Sequence, residues 1–209
     1  LSEKIFQQMS DSDVAVSKVL DGIAAAQRVG FASVKVNMVV KRGANQHEII
    51  PMAEHFRHSG IVLRFIEYMD VGNTNGWCMD DVIPAREILQ QLAARYGIQQ
   101  IDPNYIGEVA ERWCYADGGG EVGVIASVTQ AFCQNCTRAR LSTDGKLYNC
   151  LFANSSGLNL REPLRLGNDN DALTQLISAH WQQRRDRYSE LRQAVSEVNR
   201  PKIEMSYIG

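Results

Sequence analysis

Residues 34–40 read VKVNMVV, and residues 61–69 read IVLRFIEYM. In the first stretch Val34, Val36, Met38 and Val40 recur at every second position, so an extended chain sets them on one face and leaves Lys35 and Asn37 together on the other. The second is apolar almost throughout, as a buried strand is. Upstream, Val16, Val19, Leu20, Ile23 and Ala26 recur at helical spacing and Gly30 is a suitable stop, which predicts a helix over 14–29. Between the strands, Asn45-x-x-Glu48 reads as a capping box for a helix ending near Ser59-Gly60, with Pro51 tolerated in its first turn. The order helix, strand, helix, strand implies parallel strands and an α/β class.

Past Met69 the character changes. Residues 70–81 read as a polar loop, 84–96 as a helix, and Gly118-Gly119-Gly120 as a turn before the apolar stretch 122–128. A domain boundary is expected at 70/71, giving domains 1–70 and 71–209. Further on, Asp171–Trp181 is predicted helical, and Ile203, Met205 and Tyr207 alternate as in an extended tail. Residues 1–70 hold two clear strands, too few to close an eight-stranded barrel. With Leu1 in place of an initiator methionine, the chain is expected to be part of something longer.

A chain of 209 residues, 44% of them hydrophobic, can bury a substantial core. A net charge of −2 argues against a general nucleic-acid or anionic-membrane surface. No apolar run is long enough to span a bilayer, LSEKIFQQMS lacks the regions of a signal peptide, and five cysteines do not make a secreted disulfide framework. The cytoplasm is the expected compartment.

The chemistry concentrates in FCQNCTRARLSTDGKLYNCLF, residues 132–152. Cys133-x2-Cys136 is followed after thirteen intervening residues by Cys150. Thr137–Ser142 reads as extended, Asp144-Gly145 as a turn and Leu147–Asn149 as the returning strand, so a hairpin brings Cys150 back beside the CxxC pair. A structural zinc site closes with four protein ligands, whereas a cubane iron-sulphur cluster held by three cysteines leaves one iron open. Zinc remains an alternative, with Cys78, Cys114 or one of the four histidines as the fourth ligand. His47, His55 and His58 otherwise read as surface or satisfied helix residues, and Arg184, Arg185 and Arg187 as a solvated basic surface.

The cysteine segment together with VKVNMVV, LRFIEYMDVG and the terminal SYIG resembles the GTP 3′,8-cyclases, a radical S-adenosylmethionine family of molybdenum cofactor biosynthesis. The resemblance runs through essentially the whole chain. It implies part of an incomplete (β/α) radical-SAM barrel over 1–70, followed by an α+β substrate domain over 71–209 that carries a 4Fe-4S cluster. The implied cluster ligands are Cys133, Cys136 and Cys150, with the open iron as the place of the substrate. The resemblance also implies GTP contacts from Lys35, Arg138, Ala139 and Arg140, and an S-adenosylmethionine contact from Met69.

Arg138 and Arg140 alternate, so an extended segment places both on one face, and their planar, permanently charged groups suit triphosphate oxygens. Ala139 offers only its backbone. Arg64 and Glu67, an odd interval apart, fall on opposite faces of a strand, so one of them at most faces a barrel lumen.

Enzymes of this family cleave S-adenosylmethionine at another 4Fe-4S cluster, held by CxxxCxxC. The 5′-deoxyadenosyl radical then takes hydrogen from C3′ of GTP before attack on C8, giving 3′,8-cyclo-7,8-dihydro-GTP. No three of the five cysteines here have that spacing, so the chain is expected to be a carboxy-terminal portion, inactive by itself. The partners implied are GTP, S-adenosylmethionine, cyclic pyranopterin monophosphate synthase and a second copy in a homodimer. The family tail ends in two glycines, and this chain stops at Gly209, one short. Two other classes stay open: a non-catalytic zinc- or cluster-stabilised binding module, and another radical enzyme whose extra cluster serves electron transfer.

Overall fold

The computed structural model describes residues 2–72, 75–153, 156–192 and 203–208. It divides into two compact units, Leu1–Met69 with Cys78–Gln130 and Asp70–Trp77 with Ala131–Gly209.

The first unit runs α1 (Glu3–Ser10), α2 (Val16–Val29), β1 (Val34–Val40), α3 (Ile49–Phe56), β2 (Ile61–Glu67), α4 (Ala85–Arg95), β3 (Ile98–Ile101), β4 (Glu111–Tyr115) and β5 (Glu121–Ile125). Its strands form one sheet in the order β1-β2-β5-β4-β3. β1 and β2 pair in parallel from Val34 opposite Ile61 to Val40 opposite Glu67. β5 joins β2 in parallel, and β4 and β3 follow antiparallel, so the sheet is mixed. The expected parallel pair is present. The short strands IQQI and ERWCY carry no clean alternation, which is why the sequence pattern passes over them. Because β5 pairs directly with β2, residues 78–130 pack with the first unit, and the compact units do not divide at 70/71 as expected.

The two faces of β1 separate as the alternation requires. Met38 and Val40 are buried, whereas Lys35 and Asn37 are exposed. Val40, Leu63, Phe65, Val122 and Val124 pack with Ile49, Ala53 and Phe56 of α3 and Ile88 and Leu92 of α4. Each large apolar side chain in that layer contributes about 1.5–3 kcal/mol by leaving water.

The expected capping box is corrected. Asn45 is buried and turns back on β1, its Oδ1 accepting the Lys41 N–H at 2.8 Å and its Nδ2 donating to the Val39 carbonyl at 2.8 Å. With its side chain spent on that turn it gives no cap, and a 3₁₀ turn at Gln46–Glu48 leads into α3 instead, with Pro51 in the first turn. That helix ends at Phe56, short of the expected Ser59-Gly60, because Arg57 turns to an extended backbone, after which His58 takes a left-handed conformation and donates its N–H to the Gly119 carbonyl at 2.8 Å.

The second unit holds a 3₁₀ turn at Cys133–Asn135, β6 (Arg140–Leu141), β7 (Lys146–Tyr148), β8 (Leu158–Asn159), α5 (Arg161–Arg165), α6 (Asn170–Gln182), α7 (Tyr188–Leu191) and α8 (Met205–Ile208). β6, β7 and β8 form an antiparallel sheet. Its first hairpin turns at Gly145, whose φ of 81° suits glycine and where a Cβ would meet that of Arg161 at 2.9 Å. Asp169 caps α6 by accepting the Ala172 N–H at 2.8 Å.

The tail departs from its expected extended form. Ile203 N–H donates to the Ala153 carbonyl at 3.1 Å, but Tyr207 N–H bonds back to the Glu204 carbonyl at 3.0 Å, so Met205–Ile208 form a helical turn. Gly209, the shortened glycine end, lies outside the described residues.

Candidate metal centre

Cys133 and Cys136 stand at the two ends of a tight turn closed by a Cys136 N–H to Cys133 carbonyl bond of 3.3 Å. The β6–β7 hairpin then returns the chain to Cys150. All three thiols are free and half-buried, and Cys150 feels the charge of both other cysteines. The structure therefore brings the three sequence-predicted ligands into one neighbourhood. Among the described residues, no three His, Cys, Asp or Glu side chains are gathered tightly enough to hold a metal ion as they stand. Of the other sulphur candidates, Cys78 is exposed and Cys114 half-buried, both in the first unit.

Cationic groups surround the thiols. Burial opposes ionisation of Cys136, but the Arg138 backbone N–H and its guanidinium, with Nη2 3.3 Å from Sγ, hold the thiol below its ordinary value, helped by Arg184. At Cys150 burial dominates and pushes the thiol up; the Phe152 N–H, 3.4 Å from Sγ, offsets part of this, while Asp186 adds to it. Arg140 is lowered by burial first and by the Arg138 charge second, against the opposing pull of Cys150 and Cys136.

Cys136, Arg138 and Arg140 are half-buried while Thr137, Ala139 and Leu141 are exposed, so the alternation read from the sequence exists as a face. Arg138 also lies over the Phe132 ring at 4.9 Å, and its buried Nε has no hydrogen-bond partner among the described residues. Three thiols amid the guanidiniums of Arg138, Arg140 and Arg184 suit a group that carries net negative charge on thiolates, because each thiolate needs a nearby cation when partly desolvated.

Arg184 corrects a sequence expectation. It is not part of a solvated surface: its Nη1 donates to the Cys136 carbonyl and its Nη2 to the Cys133 carbonyl, the latter at 3.2 Å. Arg185 and Arg187 are exposed as expected. Glu190, paired with Arg187, accepts the Gln134 N–H at 3.2 Å. An open cavity of about 300 Å³ lies beside the turn, lined by Cys133, Trp181 and Arg184 to Arg187 among others. Neither Arg184 nor Glu190 carries a local sequence signal, since both act 48 residues or more along the chain from the groups they hold.

The remaining candidates belong to the first unit. Lys35 is exposed on β1 beside Asn37, whose Oδ1 accepts from Arg64 Nε at 2.9 Å. Arg64 thus shares the polar face of Lys35, and Glu67 takes the buried one, as the odd interval requires. Gly123, opposite Arg64 on β5, leaves room for it: a Cβ there would meet Arg64 Cγ at 3.0 Å. Met69 is half-buried just past the end of β2. Behind it the Glu67 carboxylate, 0% exposed, accepts the N–H groups of Ala85 (2.7 Å), Val128 (2.7 Å) and Thr129 (2.8 Å) and the Thr129 hydroxyl.

A family model described as Molybdenum Cofactor Synthesis C matches residues 61–190, which include β2, β5, the cysteine turn, the arginine face and Arg184. Proteins named GTP 3′,8-cyclase align with the whole chain. The one from Xanthomonas axonopodis pv. citri is 46% identical over 209 residues and 61% of its own length is covered. Those from Acidothermus cellulolyticus and Staphylococcus aureus are 43% and 42% identical over 233 and 211 residues, with 64% and 62% of their lengths covered. The chain spans about three-fifths of the length of these relatives. With the family match running through both the sheet and the cysteine hairpin, this chain belongs to the Molybdenum Cofactor Synthesis C family.

Proposed function

We propose that the parent protein is a GTP 3′,8-cyclase and that this chain supplies the part that binds GTP. Cys133, Cys136 and Cys150 would hold a 4Fe-4S cluster, which supplies an iron without a protein ligand for the substrate. Arg138 and Arg140 bind the triphosphate from their shared face, with the Ala139 backbone between them, and Lys35 adds a cation from the polar face of β1. Met69 contacts S-adenosylmethionine. In this reading residues 1–70, together with 78–130 of the same compact unit, contribute to a radical-SAM barrel, and the unit that holds the three cysteines belongs to the substrate domain. S-adenosylmethionine and a second 4Fe-4S cluster serve the parent protein, and cyclic pyranopterin monophosphate synthase takes its product. The parent works in the cytoplasm as a homodimer. No helix among the described residues is long and apolar enough to cross a membrane.

The observation that carries this reading is the row Cys136, Arg138, Arg140, in which a thiol and two guanidiniums alternate along one face with 3.3 Å between Arg138 and the sulphur. A triphosphate bound beside an open iron needs such a row, because Arg donates in a planar fork and stays charged. The names of the relatives support the same substrate.

The test is anaerobic reconstitution with iron and sulphide, followed by metal analysis and a GTP titration read by calorimetry. The expected result is a cluster and saturable GTP binding. Stoichiometric zinc with no GTP response would turn the site into that of a non-catalytic metal module, and a cluster without a GTP response would make it an electron-transfer centre.

A further inference from the structure

The Cys133–Cys136 turn is closed by a backbone bond of 3.3 Å and is also held from a segment about fifty residues away. Arg184, just past the end of α6, reaches the carbonyls of both cysteines, one with each terminal nitrogen. A planar fork can span two carbonyls at once, whereas an ammonium is a point donor. Glu190, from the same segment, takes the Gln134 N–H between them. Three backbone groups of a four-residue turn are thus fixed from residues 184–190. Trp181 lies under the Arg184 guanidinium at 5.4 Å and limits where it can go.

We propose that Arg184 is a positioning residue for the metal centre: it presets the Cys133–Cys136 turn for loading and keeps a fixed positive charge against that turn. The proposal rests on the reading of the three cysteines as metal ligands. It has two separable consequences. Groups that orient metal ligands typically change metal affinity by about 10- to 100-fold, so losing the fork speeds metal loss. Charge near a cluster sets its reduction potential, so losing the cation moves the potential to more negative values.

The experiment compares wild type, Arg184→Ala, Arg184→Lys and Arg185→Ala after anaerobic loading with iron and sulphide, or with zinc if iron is not taken up. Release of metal to a chelator is timed, and for the iron form the midpoint potential is read by redox titration. Arg184→Ala is expected to release metal at least about tenfold faster, with a more negative potential. Arg184→Lys, which keeps the charge without the fork, should release faster at a potential close to wild type. Arg185 lines the same cavity but is exposed, so Arg185→Ala should match wild type. Wild-type release rates in both Arg184 variants would overturn the proposal while leaving the metal centre standing. A wild-type protein that takes up neither iron nor zinc would overturn the metal centre itself, and the proposal with it. If circular dichroism shows Arg184→Ala unfolded, Arg184→Lys decides, and release from it at the wild-type rate counts against the proposal.

Discussion

Arg192 and Asp70 form an ion pair shut off from water, with Nε 2.8 Å from Oδ1 and each side chain only 6% exposed. The Tyr188 hydroxyl donates to the other carboxylate oxygen, and the guanidinium lies 5.1 Å from the Phe152 ring and 5.8 Å from that of Trp77. Phe152 stacks on Tyr188 at 4.8 Å and gives its N–H to Cys150. The pair therefore ties the 70–77 segment to the loop of the third cysteine. Breaking a buried pair by removing one member costs about 3–5 kcal/mol. Asp70→Ala should lower stability by that amount in urea unfolding, and an unchanged midpoint would show that the pair contributes little.

Glu67 joins the end of β2 to the start of α4 and to residues 128–129 through one carboxylate. A glutamine there accepts at one oxygen only and turns its NH2 toward N–H donors. Since hydrogen bonds to a charged group contribute about 1.5–3 kcal/mol each, Glu67→Gln should cost at least about 3 kcal/mol. Chemical denaturation at neutral pH measures it; a loss below about 1 kcal/mol would mean that water replaces the network.

For GTP binding, Arg138→Ala and Arg140→Ala should each weaken affinity by roughly 10- to 100-fold, the equivalent of one charge-assisted contact. Both variants should still take up metal. Calorimetric titration of the reconstituted proteins decides, and unchanged affinity in both would remove these arginines from the substrate site.

The Tyr115 phenol is pushed up to about 12, first by burial and next by Tyr96, against the pull of Arg57. Its ring meets that of Tyr96 edge-on at 5.6 Å. The unfolded chain ionises this phenol near its ordinary value of 10.0, so the folded state then holds the extra proton. The contribution to stability is fully present below that pH and is lost as pH rises toward 12. Tyr115→Phe should flatten that alkaline decline in a pH series of unfolding midpoints; an identical slope in the variant would refute it.

In the proposed reading radical initiation depends on a CxxxCxxC triad, and the 209-residue sequence contains none. Reconstituted and reduced in the absence of oxygen, it should form no 5′-deoxyadenosine from S-adenosylmethionine, while a version extended by the upstream sequence of a relative should. GTP-dependent product from the chain by itself would show that another site generates the radical.

What was legible in the sequence was local. VKVNMVV determines its two faces because successive side chains alternate along any extended strand, and Met38 and Val40 are accordingly buried while Lys35 and Asn37 are not. The same rule places Arg138 with Arg140 and separates Arg64 from Glu67, and the Asp144-Gly145 turn requires the hairpin that returns Cys150. Asn45 shows the limit of such rules: its sequence position offers a cap, but a closer competitor, the turn after β1, takes the side chain.

Tertiary structure decided the partners that lie far along the chain. β5 pairs with β2 across some sixty residues, with Leu63 opposite Val122, and this draws 78–130 into the first unit. Arg184 looks like one of several solvated cations until α6 delivers it to carbonyls 48 and 51 positions away. Arg192 and Asp70 are 122 positions apart. Backbone periodicity determines which way a side chain points. What it meets depends on how distant segments share a core, and an isolated stretch of sequence does not contain that information.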